Sequence, residues 1–248
     1  MAERRLLAVI PARGGSRELP GKHLRPFAGL PLIAHSVLFA KLCAEIGRCI
    51  VSTDSPAIAE GARRFEADVP FLRPAALSGD ETPLWPVLRH ALQVVEEQEG
   101  SRYDLLLLLD PTSPAREPSD LTEALARLAA QPEADGIISV SQPDFHPIWH
   151  CVVEREGWMA DASPLGAQYE RRQDVPPIYR INGALYLWRT AFVRREPSLW
   201  RQHGRHLLYE IPERRAMSID TADQFERAEA LIKQGLITLP WLSSISVR

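Results

Sequence analysis

The sequence predicts an open, doubly wound α/β domain built on a mainly parallel sheet. Three observations carry that expectation. Short apolar runs alternate with amphipathic segments, the rhythm of parallel strands joined by crossover helices. The run Tyr103 to Leu109 (YDLLLLL) is apolar on both faces, as a strand inside a parallel sheet must be. The polar residues with the most chemistry follow the predicted strands directly, where α/β sheets bind their ligands. A chain of 248 residues is ample for a large core, and the whole of 1–248 reads as a single domain.

The first buried strand is Leu6 to Pro11. Two arginines precede it, but the apolar run is too short for a leader's hydrophobic region or a membrane span. Pro31 to Ala44 reads as a helix with a wide apolar stripe. Cys49 to Ser52 is the second strand, ending at Asp54, which is expected to cap the helix opened by Ser55-Pro56. Val69 to Leu72 reads as a short third strand. Thr82-Pro83 starts a helix with Leu84, Val87, Leu88, Ala91, Leu92 and Val95 on one face.

After the Tyr103–Leu109 strand come a helix over Ser119 to Leu128 and a strand over Gly136 to Val140. From 142 to 180 the rhythm breaks into prolines, tryptophans and charges, and the segment reads as an arm leaving the sheet. Gly183 to Trp188 restores strand character. Thr221 and Gln224 form a capping box ahead of a helix carrying Phe225, Ala228, Leu231 and Ile232. No internal repeat interrupts the pattern.

A formal charge of −3 argues against a dedicated nucleic-acid binder. Cys43, Cys49 and Cys151 are too scattered for a disulfide framework or a zinc ribbon; small buried thiols fit a reducing cytosol. The chain is therefore expected to be cytoplasmic, with neither membrane nor nucleic acid as partner.

The stretch richest in chemistry is PARGGSRELPGK, residues 11–22. It is not a Walker A loop: five residues separate Gly15 from Gly21, and His23 follows Lys22 where a hydroxyl would be needed. The dinucleotide fingerprint is absent too. Gly14 and Gly15 still let backbone amides approach an anion closely. Arg13 offers a planar fork of donors, Lys22 a compact charge, and Ser16 a hydroxyl. A surface loop with two solvated bases is the plainer reading; its place after a fully apolar strand favours phosphate binding.

These residues carry a family likeness. IPARGGSRELPGKHLRPFAGLPLIAHSV resembles the opening of the acylneuraminate cytidylyltransferases, or CMP-sialic acid synthetases, whose usual form is I-P-A-R-G-G-S-K-G-I-P-x-K-N. The likeness continues through IVSTDS (50–55), LRPAALSGDET (72–82), LDPTSPAR (109–116), RQDVPPIYRINGALY (172–186) and SIDTADQFERAE (218–229). It includes nonulosonate nucleotidylyltransferases of the pseudaminate and legionaminate type. The implied fold is the nucleotide-diphosphosugar transferase (Rossmann-like) fold, and the implied state a homodimer whose 142–180 arm reaches the partner and the acceptor pocket. The implied reaction transfers CMP from CTP to the anomeric hydroxyl of a keto-acid sugar and releases pyrophosphate.

By the same resemblance, Arg13 and Lys22 with the Gly14, Gly15 and Ser16 amides grip the triphosphate. Arg73 and the loop to Thr82 hold the cytosine and ribose. Asp220 matches a magnesium-binding aspartate, making Mg2+ the implied cofactor and Arg13, Lys22 and Asp220 the implied catalytic set. Asp110, Arg172, Arg180, Asn182 and Tyr186 fall on acceptor-pocket positions.

Several positions depart from the family pattern. Ser218 stands where the first aspartate of D-I-D-T is usual, and Asp110 where glutamine is usual. Asp110 is therefore a candidate to share the metal with Asp220. Glu18 replaces a glycine and is expected to point to solvent; His23 replaces an asparagine. Trp149 in the arm is read as a buried residue of the dimer contact. The rival readings are an enzyme of the same fold using GTP or an octulosonate, and a non-catalytic nucleotide- or sugar-binding relative.

Overall fold

A computed structural model describes residues 5–15 and 18–245, and among these the chain forms a six-stranded sheet with helices on both faces. Strand β1 (Leu6–Pro11) has the boundaries the sequence predicts. A short hairpin of β2 (Pro26–Phe27) and β3 (Leu30–Pro31) leads into helix α1 (Leu32–Leu42). Strand β4 (Arg48–Ser52) and helix α2 (Pro56–Arg63) follow. The cap of α2 is Ser55, whose hydroxyl accepts from the Ile58 amide at 3.4 Å. Asp54 is thus not the cap; its carboxylate turns to the loop after β1.

Residues 69–72 form no strand. They contribute one parallel bridge, Leu72 to Thr53, beside a second from Asp68 to Ile50. Pro70 lacks the amide a ladder needs. Helix α3 (Leu84–Glu99) and strand β5 (Leu105–Leu108) come next, then helix α4 (Pro118–Ala130) and strand β6 (Gly136–Ser141).

The arm begins after β6. It holds the single turn α5 (Pro147–His150) and a separate hairpin of β7 (Val152–Arg155) and β8 (Trp158–Asp161). The chain then returns to the sheet as β9 (Arg180–Arg189), longer than the strand predicted at 183–188. Helices α6 (Thr190–Arg195) and α7 (Trp200–His203) precede an edge strand, β10 (His206–Glu210), which the sequence reading did not anticipate. Helices α8 (Ala222–Lys233) and α9 (Pro240–Ile245) complete the described chain.

The strand order is β10-β6-β9-β5-β1-β4. β1 pairs in parallel with β4 and β5, and β10 with β6. β9 runs antiparallel to both β5 and β6, so it joins two parallel blocks.

Alternation along the strands builds two cores. Leu6, Ala8, Ile10, Leu105 and Leu107 pack on one face with Ile33, Val37, Leu121, Phe225 and Trp241 from α1, α4, α8 and α9. Leu7, Val9, Leu106 and Leu108 pack on the other with Trp85, Leu88 and Leu92 of α3 and with Trp188. Both faces are covered, as the doubly wound reading requires. The cysteines are free thiols: Cys43 is buried, and Cys49 and Cys151 are half-buried. No helix among the described residues is long and apolar enough to cross a membrane.

Candidate active site

The loop after β1 lies at the carboxyl ends of β1 and β4. The Ala12 amide donates to the Ser52 carbonyl at 2.9 Å, which holds the start of the loop against β4. Gly14 then passes so close to Ser55 that an added Cβ would sit 3.1 Å from the serine Cβ, and Ser55 would have to give by a few tenths of an ångström to admit it. Its amide donates to Asp54 Oδ1 at 2.9 Å. The same oxygen is 3.5 Å from Nη2 of Arg73, which is almost fully buried on the segment following residue 72. Burial lowers the Arg73 pKa; Asp54 opposes that effect. Nε and Nη2 of Arg73 lack a hydrogen-bond partner among the described residues.

Arg13 pairs with Asp80 at 2.5 Å across the mouth of the loop. Lys22 Nζ donates to Asp220 Oδ1 at 2.7 Å, and the Ser218 hydroxyl donates to Oδ2 of the same carboxylate at 2.8 Å. Burial works against ionisation of Asp220, but these two donors outweigh it and hold the pKa below the usual aspartate value. His23, beside Lys22, is buried. Loss of solvent, then the charges of Lys22, Arg73 and Arg13, push its pKa down to about 4, so the ring is neutral. Glu18 is exposed, as expected. The expectation for Ser16 lies outside the described residues.

The aspartate at 220 is placed by the capping box of α8: the Gln224 amide donates to Thr221 Oγ1 at 3.3 Å, and Gln224 Oε1 accepts from the Asp220 and Thr221 amides. The strand-end loop 110–113 meets the 218–220 segment through the Ile219 amide, which donates to the Thr112 carbonyl at 2.9 Å. Asp110 Oδ1 accepts from the Thr112 amide and hydroxyl, which ties the loop to itself. Behind it, the fully buried Arg116 donates through Nη2 to the carbonyls of Asp110 and Ser113, each at 2.5 Å. Burial lowers its pKa to about 10, so it remains a cation under this loop at neutral pH.

The predicted acceptor residues separate into two environments. Tyr186 stacks on Trp188, and burial first, then the charge of Asp110, raise its pKa to about 12. Arg180 instead opens on a neighbouring cleft of about 590 Å³ with Phe145, Glu213, Arg214, Ser218 and Arg227. Its guanidinium donates to Glu213 at 2.8 Å and to the Ala216 carbonyl at 2.8 Å. Ser218 borders this cleft and bonds Asp220, so the cleft opens directly beside the Lys22–Asp220 pair.

Asn182 is inside the sheet. Its Oδ1 accepts from the Ser139 hydroxyl at 2.6 Å and the Ala184 amide at 3.1 Å, while Nδ2 donates to Ser141 Oγ at 2.9 Å. The side chain is saturated by the protein and acts as a strut for β9. Arg172 lies in a short helical turn, Arg172–Asp174, at the end of the arm. Thr82 is half-buried, and its amide donates to the Gly79 carbonyl, closing the turn that presents Asp80.

Sequence reasoning takes Asp54 for a helix cap, whereas its carboxylate holds the loop, and it passes over Asp80 and the anchor Arg116. All three lie within the family-like stretches 50–55, 72–82 and 109–116. Their polar identity in those stretches was the available signal.

Among the described residues no group of three or more His, Cys, Asp or Glu side chains could hold a metal by itself. The ionised, part-exposed Asp220 suits magnesium, which takes one or two carboxylates and completes its shell with substrate phosphates and water.

Comparisons with known proteins identify the family. The family model described as Cytidylyltransferase matches residues 7–238. The chain is 33% identical over 233 residues to the CMP-N,N'-diacetyllegionaminic acid synthase of Legionella pneumophila, covering 92% of this chain and 97% of that one. It is 26% identical to the pseudaminic acid cytidylyltransferase of Campylobacter jejuni, covering 92% and 96%. In fold it resembles the CMP:2-keto-3-deoxy-manno-octonic acid synthetase solved with CTP, with a TM-score of 0.70 at 21% identity over 93% of this chain and 99% of that one.

Proposed function

Because this chain belongs to the cytidylyltransferase family, we propose that it transfers CMP from CTP to the anomeric hydroxyl of a sialic-acid-like nonulosonate and releases pyrophosphate. One observation carries the proposal: Arg13, the Gly14 amide and Lys22 on the loop after β1 are met by Asp220, 198 residues beyond Lys22, at the carboxyl ends of β1 and β4. Such a set suits a triphosphate. The acceptor oxygen attacks the α-phosphorus, the bond from that phosphorus to the bridging oxygen breaks, and negative charge grows on the departing pyrophosphate. Fixed cations and amides aimed at that charge, together with in-line positioning, supply the acceleration.

Arg13, Lys22 and the Gly14 and Gly15 amides hold the phosphates in this reading, and Arg73 and Thr82 flank the nucleoside. Asp220 would hold Mg2+ with oxygens of the triphosphate; the ion, when bound, offsets phosphate charge. Asp110 is the proposed second ligand. Asp110→Asn is then expected to raise the magnesium concentration needed for half-maximal turnover, and an unchanged requirement would exclude that pairing.

For the acceptor, Tyr186 and Asp110 face one side and Arg180 the other, and a bidentate arginine is the natural partner of a keto-acid carboxylate. Arg172 and Asn182 complete the proposed set, with Asn182 acting through the backbone it braces. We also assign the enzyme to the cytoplasm and to a homodimer. The dimer reading is supported by the β7/β8 hairpin, which lies outside the main sheet and exposes Val152, Trp158 and Met159 at 52%, 78% and 81%. An isolated apolar hairpin of two strands is marginal without a partner surface.

The deciding experiment is pyrophosphate release from each of CTP, GTP, ATP and UTP, with magnesium, against a panel of nonulosonates and octulosonates. Release with CTP and a nonulosonate is expected. Release with GTP alone, or with an octulosonate alone, replaces this reading by its nearest rival, and none with any pair leaves a binding protein.

A further inference from the structure

We propose that Asp80 is a phosphate competitor: it holds Arg13 while the site is empty, yields it to the arriving triphosphate, and takes it back as pyrophosphate leaves. This rests on the function proposed above and adds a residue to which that reading gives no role.

The observations are these. Three donors of the loop that would face phosphate are each engaged by an aspartate from another part of the chain. Asp54, at the end of β4, takes the Gly14 amide; Asp220, ahead of α8, takes Lys22; Asp80 takes Arg13. The three carboxylates are not equivalent. Asp54 is built into the floor, sharing one oxygen between Gly14 and the buried Arg73. Asp220 is fixed by its own serine and by the Gln224 capping contacts.

Asp80 sits on a tight turn ahead of α3. The turn Gly79–Thr82 lies between the helical turn Ala75–Leu77 and α3, and is closed by the Thr82 amide on the Gly79 carbonyl at 3.1 Å. Both partners of the Arg13–Asp80 pair are about one-third exposed, so solvent and ligand reach the contact from outside.

The chemistry then follows from competition for one guanidinium. An arginine binds carboxylate and phosphate through the same planar fork of N–H groups, and phosphate offers more charge to it. A carboxylate in that fork lowers the net affinity for any phosphate ligand, and it lowers it for pyrophosphate as for CTP. The benefit is turnover: a product that carries much of the substrate's charge would otherwise remain.

The experiment measures binding of inorganic pyrophosphate, and separately of CTP without acceptor, by calorimetry in magnesium buffer. The proteins are wild type, Asp80→Asn, Arg13→Gln and the double variant. In Asp80→Asn both ligands are expected to bind about two- to fivefold more tightly, the scale of an exposed ion pair. In the Arg13→Gln background the gain is expected to shrink, by the share of the effect that runs through Arg13. Equal or weaker binding by Asp80→Asn, or a gain undiminished without Arg13, overturns the proposal. If wild type binds neither CTP nor pyrophosphate, the function proposed above fails and this inference falls with it; if wild type binds both and only the Asp80 pattern is missing, this inference fails alone. Thermal unfolding of each variant separates a misfolded protein from a changed affinity, and Asp80→Ser is a second substitution that removes the charge if asparagine perturbs the turn.

Discussion

At the scale of single residues, the buried histidines show how the fold dictates protonation. The ring of His35 donates from Nε2 to the Phe27 carbonyl at 2.8 Å, since a carbonyl can only accept. Its Nδ1 must then accept from the indole of Trp241, at 2.9 Å, and the ring must be neutral. Burial holds its pKa at about 4. The unfolded chain, with an ordinary histidine, takes up the proton first as pH falls. The contribution is therefore fully present above the unfolded value of about 6.5 and is lost as pH falls from there towards about 4, on the order of 3 kcal/mol. His23 acts in the same window and direction. Denaturant melts of wild type between pH 7 and 4 are expected to show this fall, and His35→Gln is expected to remove part of the slope; an unchanged slope would refute it. For activity, Lys22→Met is expected to lower kcat/KM for CTP by about a hundredfold or more, the loss typical of a donor aimed at developing charge. It also leaves Asp220 without its cation, so the magnesium response is expected to change with it in initial-rate assays.

At the scale of elements, β9 is the piece on which the site depends. Near its start the pairing with β6 shifts between Ile138 and Val140, and Asn182 bridges the irregularity to Ser139 and Ser141. Gly183 there has φ +78°, and an added Cβ would lie 2.7 Å from Ser113 Oγ on the 110–113 loop. Gly183→Ala is expected to cost about 2 kcal/mol or more from the left-handed backbone and the clash together, read as a lowered Tm with reduced turnover. An unchanged Tm would contradict the geometry. Much of this level was legible in the sequence. β1 and α8 could be read because an all-apolar run and a Thr–Gln capping box are local signals. The direction of β9 was not legible, since a buried strand has the same apolar pattern whichever way it runs. β10 was missed because it is a short edge strand with alternating exposure. Asp54 was misassigned because a carboxylate before a helix is a good cap locally, whereas its true partner, Gly14, is forty residues away. The loop after β1 was legible as chemistry; the aspartates that close around it were not, since no local pattern pairs 13 with 80.

At the scale of the whole molecule, the exposed apolar hairpin of the arm is where the proposed homodimer is tested. Replacing the exposed Trp158 and Met159 together by glutamate leaves the core untouched, since neither packs into it. Wild type is expected to sediment as a dimer and the double variant as a monomer with nearly unchanged Tm; a monomeric wild type would exclude the homodimer. The path of the chain through the sheet has its own consequence during synthesis. β5 and β6 are translated well before β9, the strand that pairs with both. Until the ribosome has passed the arm and released residue 189, β5 offers a bare hydrogen-bonding edge at what becomes the middle of the finished protein, and β6 has no partner strand, since β10 follows β9 in the chain. The nascent polypeptide is therefore most vulnerable to misassembly through that interval, and β9 is the seam whose arrival ends it.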